Sequence, residues 1–131
     1  MTALNRKLAL HNLRNSRGNA DHRRSQAEIY SISLVKSGIV RGPDSKDLPQ
    51  SHFPIRLPSS LRNSMCDYLR ARGIDTSKLF PLPEGLSRAL YPHAAEAADE
   101  VLTLPMGPTI TLEEVRMVSG CFKDGMLALG L

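Results

Sequence analysis

The chain opens on a helical pattern that does not hold. Leu4, Leu8 and His11 fall on one face, and then Asn15-Ser16-Arg17-Gly18-Asn19 weakens it, because Asn, Ser and Gly disfavour helix interiors. The helical signal resumes at Asp21, a candidate N-cap, with Ala27, Tyr30 and Leu34 on a common side. Residues 37–50 hold two glycines and two prolines and read as a loop with room for a short strand at Ile39–Val40. Next, Phe53, Ile55 and Leu57 alternate with His52, Pro54 and Arg56, a strand pattern with one buried face. Pro54 cannot donate to a ladder, which argues for an edge or an irregular strand.

The clearest helix runs from Ser59 to Arg72, capped by Ser59 or Ser60, with Leu61, Met65, Tyr68 and Leu69 as its apolar stripe. Gly73 supplies a left-handed stop. After a loop holding Pro81 and Pro83, Pro92 starts a short alanine-rich helix over residues 92–100. Val101–Leu104 is a short strand, and Pro105 and Pro108 take the chain off it. The last helix opens on a capping box formed by Thr111 and Glu114 and buries Leu112, Val115, Val118 and Phe122. Gly125 is expected to end it, leaving GMLALGL as an apolar tail. This order predicts an α+β fold: a small antiparallel-type sheet with helices packed on it.

A chain of 131 residues is one domain's worth, and its 41% hydrophobic and 23% charged residues are those of a globular protein. No apolar run approaches the roughly 20 residues of a membrane-spanning helix, so no membrane partner is expected. The first residues, broken by Arg6, Lys7, His11, Arg14 and Arg17, do not form a secretory signal. Cys66 and Cys121 lie far apart and match no metal spacing, which points to a reduced, cytoplasmic protein. The charge is uneven: residues 1–41 carry eight basic and two acidic side chains, residues 42–131 nine and eleven. A basic arm raises the question of nucleic acid, but Tyr30 is the only aromatic before Phe53, and single-strand binders need interleaved aromatics. A solvated helical face, or a surface that meets another segment of chain, accounts for the same charges.

Catalytic constellations are missing. Ser33-Leu34-Val35-Lys36 matches S-x-x-K without that chemistry's companion motifs. Gly42-Pro43-Asp44-Ser45-Lys46 lacks the spacing of a phosphate-binding loop and has a proline where a backbone donor is wanted. His11, His22, His52 and His93 are scattered, with no cysteine at ligand spacing, so no metal is expected.

Three stretches together resemble one family, the DegT-DnrJ-StrS sugar aminotransferases. Arg23-Arg24 followed by Ala27, Tyr30 and Leu34 is similar to the family's interdomain helix. HFPIRLP leads into a helix that ends at Gly73-Ile74-Asp75-Thr76. Tyr91-Pro92, Ala94, Ala98, Val101-Leu102-Thr103-Leu104-Pro105-Met106 and Pro108 complete the register, so the resemblance spans about residues 23–123. It implies the C-terminal small domain of a fold type I enzyme dependent on pyridoxal phosphate (PLP), with residues 1–36 as a basic, interdomain-helix-like segment and 37–131 as the small α+β domain.

The resemblance also implies what is not here. Such an enzyme needs a lysine to hold the cofactor covalently, an acid on its pyridinium nitrogen and a phosphate cradle. In the family these lie in the large domain, and none of Lys7, Lys36, Lys46, Lys78 and Lys123 stands in the family's lysine motif. The chain is therefore expected to hold no catalytic or cofactor-binding residue of its own and to be inactive alone. Its expected partners are a large PLP-binding domain or an intact paralogue and, in the complete enzyme, a nucleotide-sugar that takes an amino group from an amino acid such as glutamate. The loop after Gly73 corresponds to a cleft-facing stretch, which makes Lys78 and Phe80 the substrate-facing candidates. Two rivals stand beside this reading: a non-catalytic interaction module derived from an aminotransferase, and a basic-arm nucleic-acid binder whose affinity would fall steeply with salt. An apolar face left without its large domain would also favour self-association.

Overall fold

The computed structural model describes residues 2–35, 50–79 and 81–130. Helix α1 (Ala3–Tyr30) is followed directly by a π-helical turn (Ser31–Val35). Strand β1 (Phe53–Arg56), helix α2 (Ser59–Arg70), helix α3 (Pro92–Glu100), strand β2 (Val101–Leu104) and helix α4 (Leu112–Ala128) complete the order. The architecture is the expected α+β one, with four α-helices set around a two-stranded antiparallel sheet among the described residues. The candidate strand at Ile39–Val40 lies outside the described residues, as do Lys36 and the Gly42–Lys46 stretch.

The sheet shows why Pro54 is tolerated. Phe53 pairs with Leu104, Pro54 with Thr103, Ile55 with Leu102 and Arg56 with Val101. Thr103 turns its backbone the other way: its N–H donates to Ser77 O at 2.8 Å and its carbonyl accepts from Ser77 N at 3.3 Å. The proline therefore faces a residue that asks nothing of its missing N–H. The same bridge buries Thr103, whose hydroxyl also donates to Ser77 O at 3.0 Å.

One core lies between the sheet and the helices. Phe53 and Ile55 from β1, Leu102 and Leu104 from β2, Met65 and Leu69 from α2, and Val115 and Phe122 from α4 are all buried in it. Tyr30 and Leu34 join them, their chain brought in by the end of α1 and the π-helical turn, and the Tyr30 ring tilts against Phe53 at a centroid distance of 5.0 Å. Gly73 does end the turn after α2, at φ 75°, and Pro92 does open α3.

Three local expectations are corrected. Helix α1 runs unbroken through Asn15–Asn19, and Asp21 is not a cap but an interior residue paired with Arg24. Poor helix formers raise the cost of that stretch without blocking it, since none of them removes an N–H as proline would. Helix α2 has Pro58 at its N-cap and no side-chain cap from Ser59 or Ser60. Helix α4 continues through Gly125 to Ala128, and the stop is Gly130, whose φ of 85° is the left-handed conformation glycine accepts. The GMLALGL stretch is thus mostly helix rather than tail. Gly125 serves packing instead: a Cβ there would lie 2.8 Å from Tyr68 Cδ1 and 2.9 Å from Met65 Sδ.

Candidate interdomain surface

The most specific polar arrangement among the described residues lies where α1 meets the turn between β2 and α4. His22, Gln26 and Tyr30 are four residues apart, so they stand above one another on one face of α1. Each bonds to main-chain groups of residues 105–110. Tyr30 Oη donates to Pro105 O at 2.8 Å. Gln26 Nε2 donates to Gly107 O at 2.9 Å and to Ile110 O at 2.6 Å, while its Oε1 accepts from Gly107 N at 3.1 Å. His22 Nε2 lies 2.8 Å from Ile110 O and 3.1 Å from Gln26 Nε2, so it donates to the carbonyl in one tautomer and accepts from the amide in the other. Beside them, Arg23 Nη1 donates to Ser51 O at 2.8 Å and fastens the helix to the chain leading into β1.

This clasp explains how a chain that turns at two prolines keeps its carbonyls satisfied. Pro105 and Pro108 prevent residues 105–110 from continuing the sheet, and helix α1 supplies donors in place of a strand. Gln26 is fully buried, and burial raises the Tyr30 phenol well above its ordinary value.

The other half of α1 is bare. Residues Leu4 to Asn19 are all exposed, and the hydrogen bonds given by their side chains are local ones, such as Asn15 to His11 and Ser16 to Leu13 O. Leu4 is 66% and Leu8 52% exposed. Over residues 2–20 the helix carries Arg6, Lys7, Arg14 and Arg17 and no acid.

Of the two substrate-facing candidates, Lys78 is exposed just after the Ser77 bridge, and Phe80 lies outside the described residues. Lys7 and Lys123 are exposed too. All three described lysines thus stand on the surface. Cys66 is buried and Cys121 half-buried, and both are free. Cys66 Sγ accepts from Thr76 Oγ1 at 3.3 Å, a packing role. No described helix is long and apolar enough to cross a membrane.

The model of the DegT/DnrJ/EryC1/StrS aminotransferase family matches residues 1–123. The chain belongs to that family. No curated protein matches the sequence. Among solved structures, the aminotransferase TlmJ from Streptoalloteichus hindustanus is 24% identical with a TM-score of 0.70, over 89% of this chain and 34% of its own. NtdA from Bacillus subtilis, solved with bound cofactor PMP, is 23% identical with a TM-score of 0.71, over 83% of this chain and 28% of its own. A family aminotransferase from Brucella abortus is 19% identical with a TM-score of 0.75, over 88% and 33%. At these identities the likeness fixes the fold, and the chain spans about a third of each solved relative's length. Within this aminotransferase family fold, His22 stands in the sequence only as one of four scattered histidines, and Gln26 carries no motif. The signal that would have found them is their four-residue spacing from Tyr30, since a polar side chain in line with a core tyrosine must find a buried partner.

Proposed function

We propose that these residues form the small domain of a PLP-dependent nucleotide-sugar aminotransferase, with residues 1–36 as the segment leading from the large domain and 37–131 as the small domain proper. The observation that carries this is the family match over residues 1–123, joined to a fold that spans about a third of its solved relatives. The reaction moves an amino group from an amino acid such as glutamate to a keto-sugar, leaving a 2-oxo acid and an amino sugar. The lysine that holds the cofactor belongs to the large domain, on the same polypeptide or a separate one, so the 131 residues alone are inactive. The setting is cytoplasmic, which suits two free thiols.

The part played by these residues is to bring one wall to the cleft. The clasp makes α1 and the 105–110 turn move as one body, so the wall follows the helix that leads from the large domain. On this reading Lys78 serves as a cation for the substrate's phosphates. A second reading, a non-catalytic interaction module, is favoured by the bare, basic first half of α1, which is built to meet a partner and carries no chemistry.

The deciding experiment is to tag the chain in its native source and follow size and the visible absorbance of bound PLP together. A species larger than the chain and carrying that absorbance supports the aminotransferase. A colourless species larger than the chain supports the module, and a colourless chain running at its own mass refutes both readings. In a complete enzyme, Lys78→Ala should raise KM for the nucleotide-sugar and leave the amino-acid half-reaction unchanged.

A further inference from the structure

The two halves of α1 are built differently, and they meet in a stretch that helix formation disfavours. From Ala20 onward the helix belongs to the body of the fold. Gln26, Tyr30 and Leu34 are fully buried, and His22, Arg23, Gln26 and Tyr30 bond to main-chain groups of Ser51 and residues 105–110. From Leu4 to Asn19 every residue is exposed, so none of these side chains packs on that body. Whatever covers this half in an assembled enzyme is a body other than this one. Between the halves lie Asn15, Ser16, Arg17, Gly18 and Asn19, four of them poor helix formers, with glycine the poorest short of proline. Ser16 Oγ donates to Leu13 O at 2.7 Å, a side-chain bond of the kind that bends helices by competing for the helix's own carbonyl. Nothing lies within 4 Å of where a Gly18 Cβ would stand, so no close approach to the body requires glycine there, in contrast to Gly125.

We propose that residues 15–19 are a joint at which the body, starting from Ala20 and carrying the clasp and the 105–110 turn, tilts against the first half of α1. The one body that the clasp makes of helix and turn thus takes in only the fastened half of α1. The contacts exclude the other places for such a joint. After Tyr30, the π-helical turn continues α1 directly and puts Leu34 into the core, so residues 31–35 move with the body. Between His22 and Tyr30, a bend would break the bonds to Pro105, Gly107 and Ile110. Asn15–Asn19 is the nearest stretch ahead of the clasp that can absorb a change of backbone angle without breaking a tertiary contact. The inference rests on the clasp and on local helix energetics, and it stands apart from the aminotransferase reading. On that reading, the tilt sets how far the small domain's wall stands from the rest of the cleft.

The 131-residue chain tests the joint with pairs of spin labels and pulsed distance measurements, on a Cys121→Ser background because Cys66 is buried. Labels at Leu13→Cys and Met117→Cys span the joint, while labels at Glu28→Cys and Met117→Cys lie within the body; all three sites are exposed. The spanning pair should give a distance distribution about twice as broad as the pair within the body, and Asn15→Ala with Gly18→Ala should bring it close to the narrower one. Asn5→Ala, a helix gain outside the stretch, should leave it broad. Gly18→Pro, which breaks the helix at the joint, should keep the thermal midpoint within about 3 °C of wild type, because the body starts beyond it. Equal widths for the two pairs overturn the proposal. So does broadening that Asn5→Ala relieves as well as the joint variants do, which is fraying of the helix N-terminus. A Gly18→Pro chain with a clearly lowered midpoint overturns it too, since the first half of α1 would then be part of the body.

Discussion

Gln26 and Gly107 exchange two hydrogen bonds, the side-chain amide of one closing a ring with the backbone of the other: Oε1 accepts from Gly107 N at 3.1 Å and Nε2 donates to Gly107 O at 2.9 Å. The amide thus does for the turn what a neighbouring strand would do, from a helix that has no strand to offer. Because Gln26 is fully buried, neither group of Gly107 has water as a substitute.

Gln26→Leu should therefore destabilise the chain by about 2–4 kcal/mol, since it leaves buried groups of Gly107 and Ile110 without that partner. Urea unfolding would measure it, and a loss no larger than that of an ordinary surface substitution would show that water enters the turn. Gln26→Glu restores the shape but not the donor, and should lie closer to Leu than to wild type.

Tyr30 gives the clasp a pH dependence. Its hydroxyl donates to Pro105 O, and burial holds its pKa above the ordinary value of 10.0. The folded-state value is the raised one, so the stability it contributes is complete below pH 10 and is lost progressively as pH rises beyond it. Tyr30→Phe should cost about 1–2 kcal/mol at neutral pH. Measured by thermal melts, the gap between variant and wild type should narrow in strong alkali.

Much of the fold is legible in the sequence where local signals agree with packing. Alternation at Phe53, Ile55 and Leu57, proline at the start of α3, and the Thr111–Glu114 box each specify their element on their own. Two readings failed for a shared reason: glycine is ambiguous. Gly18 lies in a helix it only weakens, and Gly125 is a contact point between α2 and α4, while the actual terminator, Gly130, is five residues further on. The candidate surface was half legible. Its charge and its exposed leucines stand in the sequence, but the clasp does not, because hydrophobic periodicity is blind to a buried glutamine.

The two glycines of α4 offer a paired comparison. Gly125→Ala would push a methyl within 3 Å of the Tyr68 ring and Met65 sulfur, and should destabilise by about 1–2 kcal/mol as those side chains shift. Gly120→Ala meets nothing within 4 Å and should stabilise the helix by about 0.5–1 kcal/mol. Opposite signs in thermal melts would establish that α4 passes through both positions as helix; a loss from both would mean that the outer face of α4 is already covered.

The capping box at the start of α4 predicts the acid limb of stability. Glu114 Oε2 accepts from Thr111 N at 2.7 Å and from Thr111 Oγ1 at 2.9 Å, and Thr111 Oγ1 accepts from Glu114 N at 3.1 Å. The backbone bond from Thr111, with the hydroxyl bond second, lowers the Glu114 pKa below its ordinary 4.5. A depressed folded-state value contributes stability that is present above the ordinary glutamate range and is lost as pH falls through the folded value. Thr111→Ala removes both hydroxyl bonds and keeps the backbone bond from Thr111 N to Glu114. The variant should be less stable at neutral pH, and the gap should narrow on acidification as the hydroxyl's bond to the carboxylate weakens in the wild type, leaving the pH-independent cap bond from Glu114 N. A gap that stays constant from neutral pH into acid would show that the threonine acts by its shape rather than through the carboxylate.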